Sequence, residues 1–256
     1  MACGSTGEFS ALTLDERRRV VETVVDQTAH RVPVVAQTGS TSTAEAIRLA
    51  RHAESAGADV VMPVAPYYEA LTLAETTHYL RRVAGSVGIP VMLYNLPGAT
   101  GVDLSPETVA TLAREVDNIR YVKNTSADMA QAAQLIHHYG DLVGTFVGWD
   151  SLILSSLVAG AAGVMAGTAN VVPAELVAVH DAVRAGDLAA AREAWARVYP
   201  LLDAALSTSY VAAVKTALDA VGFPVGLTRE PVRPLEPADA SRIAELASAF
   251  QTQPVA

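Results

Sequence analysis

The sequence predicts an α/β protein of the parallel-sheet class, with repeated strand–helix units followed by a run of helices. Two observations carry this. Six short apolar runs recur between helical stretches without polar/apolar alternation, the habit of strands covered on both faces. From Asp187 onward the strands stop, and only helical stretches follow.

The apolar runs are VPVVAQTGS (32–40), ADVVMPVAPYY (58–68), IPVMLYNLPG (89–98), IRYVKNTS (119–126), LVGTFVGWD (142–150) and GVMAGTAN (163–170). Start signals mark the helices between them. Thr13-Leu-Asp-Glu16, Ser42-Thr-Ala-Glu45 and Thr72-Leu-Ala-Glu75 fit the capping box, in which a hydroxyl and a Glu satisfy free amides reciprocally. Ser105-Pro106 reads as an N-cap followed by proline at the first helical position. Gly57 and Gly140 read as helix stops. Pro173 opens a further helix that Gly186 ends. After it come DLAAAREAWARVYPLLDAAL, SYVAAVKTALDAVG and PADASRIAELASAF. The expected organisation is therefore a βα-repeat segment over 1–186 and a helical appendix over 187–256.

Repeated βα units build a parallel sheet, either open and doubly wound or closed into a barrel. No Gly-x-Gly-x-x-Gly turn follows a first strand, which weighs against the open dinucleotide-binding form. A barrel takes eight strands, and six complete ones are counted.

Composition narrows the function classes. The chain has 256 residues and a net charge of −9, which weighs against nucleic acid and an anionic membrane face as partners. One cysteine, Cys3, excludes an internal disulfide, and no Cys/His spacing suits a structural zinc. The first residues lack the basic flank and apolar run of a signal peptide, so a cytoplasmic protein is expected. No charge occurs between Asp150 and Glu175, but Gly160, Gly163 and Gly167 divide that stretch into a helix and a strand. It reads as buried core rather than a membrane span.

Only two lysines occur. Lys215 lies in the helical stretch VAAVKTALDAVG and reads as solvated. Lys123 closes the run IRYV, at the C-terminal strand end where barrels carry their active sites. Desolvation there favours a neutral, nucleophilic amine, while a strand-end lysine reaching water fits the position alone equally well. Tyr94 ends the preceding strand and would share the rim, where a phenol can relay protons during imine formation. Tyr67 and Tyr68 end the strand before that; packing suits Tyr67 and function suits Tyr68. Gly4-Ser5-Thr6-Gly7 offers amides and hydroxyls to a carboxylate or phosphate. His137 and His138 suit a helix C-terminus, and Asp150 reads either as a cap or as a rim residue.

As an ordered set, Gly-Ser-Thr-Gly-Glu (4–8), Pro66-Tyr67-Tyr68, Tyr94-Asn95-Leu96-Pro97, Val122-Lys123, Gly148-Trp149-Asp150 and Gly167-Thr168-Ala169-Asn170 resemble the dihydrodipicolinate synthase / N-acetylneuraminate lyase family of Schiff-base aldolases. The resemblance covers nearly the whole chain. It implies a (β/α)8 TIM barrel with a C-terminal three-helix appendix, a homotetramer, and no metal or organic cofactor. Against that barrel Ala2-Cys3 reads as a stub of strand two. The first βα unit and most of strand two are then expected to be absent, through a misplaced start or a deletion, with the misplaced start preferred.

By position, Lys123 resembles the imine-forming lysine that attacks the keto carbon of pyruvate or another 2-oxo acid. Tyr94 resembles the proton-relay tyrosine, and Ser5 and Thr6 the pair that binds the carboxylate. Tyr68 matches the tyrosine that, in the synthases, reaches into a neighbouring subunit's site. Backbone from Met165 to Gly167 would line the pyruvate pocket. The synthases carry an arginine after Tyr-Asn-x-Pro for the aldehyde substrate's carboxylate; here Ala99 stands there. Thr125 and Asp150 resemble positions that contact hydroxyls in the sugar-acid lyases. The expectation is a lyase, aldolase or dehydratase, acting on pyruvate-derived or hydroxylated 2-oxo acids. The alternatives are a 4-hydroxy-tetrahydrodipicolinate synthase in which Arg120 or Arg229 replaces the missing arginine, and a truncated non-catalytic relative.

Overall fold

Each of the six apolar runs supplies one strand in the computed structural model, which describes residues 1–251. The final residues of the expected 187–256 appendix, 252–256, lie outside the described residues. The strands are β1 (Val35–Gln37), β2 (Val60–Met62), β3 (Val91–Asn95), β4 (Ile119–Asn124), β5 (Gly144–Val147) and β6 (Gly163–Val164). They form one sheet in sequence order, and the pairs from β1 to β5 are all parallel. Every residue of β1, β2 and β3 is buried, as the missing alternation predicts.

The chain divides into two units. The first comprises Met1–Trp149 and Ala159–Gly163. Its helices are α1 (Leu14–Thr28), α2 (Thr43–Ser55), α3 (Leu73–Ala84), α4 (Pro97–Thr100), α5 (Pro106–Glu115) and α6 (Met129–Tyr139). Met62, Leu80, Met92, Leu93, Leu112, Ile119 and Leu135 are fully buried there. Each such side chain contributes about 1.5–3 kcal/mol through apolar surface taken from water. The second unit comprises Asp150–Val158 and the chain from Val164. It holds α7 (Ile153–Val158), α8 (Pro173–Arg184), α9 (Leu188–Leu206), α10 (Tyr210–Ala220) and α11 (Pro237–Ser248), with Ile153, Leu201, Leu202 and Ile243 in its core. Among the described residues no helix is long and apolar enough to cross a membrane.

Local chemistry sets the element ends. Thr13 and Thr72 close full capping boxes with Glu16 and Glu75, and Ser105 accepts from Thr108 N ahead of Pro106. Thr13→Ala is expected to lower the unfolding free energy by about 1 kcal/mol, read from denaturant unfolding; an unchanged midpoint would contradict that role for the cap. The box expected at Ser42 does not form. Ser40 takes the Glu45 carboxylate at 3.0 Å and accepts from Ser42 N at 3.1 Å, so the competing hydroxyl sits two residues upstream. Gly57 and Gly186 adopt the left-handed conformation (φ 95° and 77°), whereas Gly140 stays right-handed at φ −60°.

The N-terminal loop is anchored. Ala2 forms a parallel bridge with Ala36, donating to Val35 O at 2.8 Å and accepting from Gln37 N at 3.0 Å. Ala2 and Cys3 are buried beside β1, which fixes the start of the Gly4–Glu8 turn.

Candidate active site

Parallel register builds the first cluster. Tyr94 and Lys123 are direct partners across β3 and β4, near the strands' C-terminal ends. Their side chains therefore leave the sheet on the same face. Both residues are buried, at 3 % and 5 % exposure. Lys123 Nζ lies 4.3 Å from the Tyr94 ring centroid, over a π face that attracts a cation. Tyr94 Oη shares a 3.3 Å hydrogen bond with Ser5 Oγ. Ser5 opens a short 3-10 turn, Ser5–Gly7, and the half-buried Thr6 follows it there. Amine, phenol and hydroxyl thus meet at one end of a rigid sheet, the combination a carbonyl addition with proton transfer requires.

Gly148 makes room for the lysine. A Cβ at that position would lie 2.6 Å from Lys123 Cε and 2.2 Å from Thr125 Oγ1. Both side chains therefore occupy the space that any larger residue would take. Among the described residues Thr125 Oγ1 is buried without a hydrogen-bond partner. An unpaired buried hydroxyl is costly, and a ligand oxygen would satisfy it.

Tyr68 stands apart from this cluster, with 83 % of its surface exposed. Tyr67 differs from the buried packing role expected of it: it is 38 % exposed, with its ring meeting Phe9 edge-on at 5.8 Å.

The second unit holds the remaining expected residues. Asp150 is buried, and its carboxylate accepts from Tyr210 Oη at 2.7 Å, from Thr168 N at 3.3 Å and from Thr168 Oγ1. Burial, followed by the Asp150 charge, pushes the Tyr210 phenol well above the ordinary tyrosine range. This contact ties α10 to the turn Gly167–Asn170, where Asn170 Nδ2 donates to Gly167 O at 2.8 Å. Met165 and Gly167 are half-buried.

Several contributors were not evident in the sequence. Arg17 is 5 % exposed, donates to Gln37 O, Gln37 Oε1 and Gly39 O, and lies 5.2 Å from the Phe9 ring centroid. Desolvation pulls its pKa below the ordinary arginine value. It stands in a run of three arginines; its spacing of four from Val21, on the buried stripe of α1, was the available signal. Tyr210 offered no local signal, since its partner is sixty residues away. Lys215 is not simply solvated, because its Nζ donates to Leu227 O at 2.7 Å. Among the described residues no group of three or more His, Cys, Asp or Glu side chains could hold a metal ion.

The model of the dihydrodipicolinate synthetase family matches residues 1–250. A 4-hydroxy-tetrahydrodipicolinate synthase of Geotalea uraniireducens is 41 % identical over 237 residues, covering 93 % of this chain and 81 % of the relative. A crystal structure of a dihydrodipicolinate synthase superposes with a TM-score of 0.93 at 36 % identity, covering 97 % of this chain and 86 % of that one. YagE, a prophage protein of E. coli K12 solved in complex with pyruvate, gives 0.92 at 32 % identity, covering 98 % and 86 %.

Proposed function

The chain belongs to the dihydrodipicolinate synthetase family, and from that premise we propose that Lys123 forms a Schiff base with pyruvate in a 4-hydroxy-tetrahydrodipicolinate synthase reaction. Lysine Schiff-base lyase chemistry comes with the family. The observation that carries the assignment of the lysine is the buried contact of Lys123 Nζ with the Tyr94 ring, with Ser5 bonded to that phenol.

In this reading the neutral amine adds to C2 of pyruvate and the carbonyl oxygen takes up a proton. The resulting hydroxyl leaves as water, and the nitrogen retains one proton in the iminium. Tyr94, bonded to Ser5, relays those protons. Loss of a C3 proton gives an enamine, whose C3 attacks the aldehyde carbon of aspartate semialdehyde; the new alkoxide takes up a proton and the iminium re-forms. The acceptor's amine then adds to C2, and the Lys123 nitrogen leaves as the free amine while the product ring closes. Ser5 and Thr6 hold the pyruvate carboxylate. The naming of the relatives supports the acceptor, and the pyruvate complex of YagE supports the first substrate. The 83 % exposed Tyr68 supports a homo-oligomer in which this ring enters a neighbouring subunit's site.

A second reading has its own support. Ala99 places a methyl group where the synthases are expected to carry a guanidinium, which it cannot replace in holding a carboxylate. The unpaired Thr125 hydroxyl instead suits a hydroxylated substrate. Retro-aldol cleavage or dehydration of a hydroxylated 2-oxo acid would follow from the same imine.

Borohydride reduction in the presence of pyruvate, followed by peptide mass analysis, is expected to give a reduced adduct on Lys123. An unlabelled lysine would sink both readings. Condensation with aspartate semialdehyde that outpaces pyruvate release from 4-hydroxy-2-oxo acids and 2-keto-3-deoxy sugar acids supports the synthase. The reverse order selects the lyase.

A further inference from the structure

We propose that Asn95, Asn124, Gln131 and Asp103 form a positioning network that sets the spacing of Tyr94 and Lys123. The inference rests on the pyruvate-imine reading. Asn95 and Asn124 follow Tyr94 and Lys123 in their strands and are likewise direct register partners. Strand alternation sends their side chains to the opposite face of the sheet from the amine and the phenol. There Asn95 Nδ2 donates to Asp103 Oδ1 at 2.8 Å, Gln131 Oε1 at 3.1 Å and Asn124 Oδ1 at 3.3 Å. Asn95 Oδ1 accepts from Leu104 N at 3.0 Å. Gln131 Nε2 reaches both Asp103 oxygens, at 3.1 and 2.9 Å.

Asn95, Asn124 and Gln131 are 1 %, 4 % and 7 % exposed. Apolar side chains would fill the same volume under α6 without needing partners. Hydrogen bonds add direction, which packing lacks. These bonds join the end of β3, the end of β4, the first turn of α6 and the segment after α4. A rotation of either strand end that parted Lys123 from Tyr94 would break several of them together. The four residues act through Tyr94 and Lys123 and are positioning residues.

A reciprocal exchange tests this. Gln131→Glu sets two carboxylates against each other, whereas Gln131→Glu with Asp103→Asn restores a donor at 103 facing an acceptor at 131. The single variant is expected to slow borohydride-trapped imine formation at Lys123 by about tenfold or more per folded molecule, with pyruvate affinity nearly unchanged. The double variant is expected to return within about threefold of the wild type. A network that served stability alone would lower the unfolding midpoint and leave the trapping rate at the wild-type value, which overturns the inference. A folded double variant as slow as the single one overturns it too. If Gln131→Glu does not fold, Asp103→Ala is read in the same way: slowed trapping supports the network and wild-type trapping overturns it. A wild type that forms no adduct brings down the imine reading itself, a result distinct from labelled wild type with unaffected variants.

Discussion

Lys123→Ala is expected to lower the pyruvate-dependent rate by at least about three orders of magnitude and to abolish borohydride trapping. Imine chemistry needs a primary amine at the reacting carbon, and the chain contains only one other lysine. That residue, Lys215, belongs to the second unit and donates to Leu227 O. Lys123→Arg is expected to lose as much activity while keeping the charge, because a guanidinium stays protonated and forms no imine. The pair separates chemistry from electrostatics. If arginine retained even a tenth of the wild-type rate, Lys123 would be a charge rather than a nucleophile. Circular dichroism should show both variants folded, since Lys123 lies in a strand whose other bonds run through the backbone to β3 and β5.

Much of this site was legible because a parallel strand's end is a place as well as a sequence. Val-Lys and Leu-Tyr at the ends of two apolar runs are enough to predict a shared rim, since successive strands pair side by side. The register Tyr94–Lys123 then follows from the pairing. Glycine at 148 was visible as part of a motif, but its reason was not, because that depends on where the Lys123 side chain folds back. The polar network was invisible for a similar reason. Asn95 and Asn124 read as strand-ending residues, and only the placement of α6 brings Gln131 to them. The same limit applies to caps. Ser42 and Ser40 stand two residues apart with Glu45 downstream, and which hydroxyl wins is settled by the turn between them.

Gly148→Ala is the second large effect expected, and it separates positioning from stability. The backbone there is not left-handed, so an alanine meets no conformational penalty; its only difficulty is space. The new methyl would fall 2.2 Å from Thr125 Oγ1, 2.6 Å from Lys123 Cε and 3.2 Å from Lys123 Cγ, the first two closer than carbon atoms approach other heavy atoms. Thr125 is β-branched and stiff at χ1, so it yields little. The lysine chain is the part that gives way, and its amine leaves the Tyr94 face. Displacing a reacting group by about 1 Å costs on the order of 10²-fold in rate, so a loss of 10² to 10³ is expected. Overpacking of this kind costs about 1–3 kcal/mol in stability, and the protein should remain folded. Gly98→Ala supplies the control: a Cβ there meets nothing within 4 Å, and activity should stay at the wild-type level. Single-turnover trapping with pyruvate reads the difference directly. If Gly148→Ala traps pyruvate as fast as Gly98→Ala, the Lys123 side chain does not depend on the gap at 148, and the geometry assigned to the nucleophile is wrong.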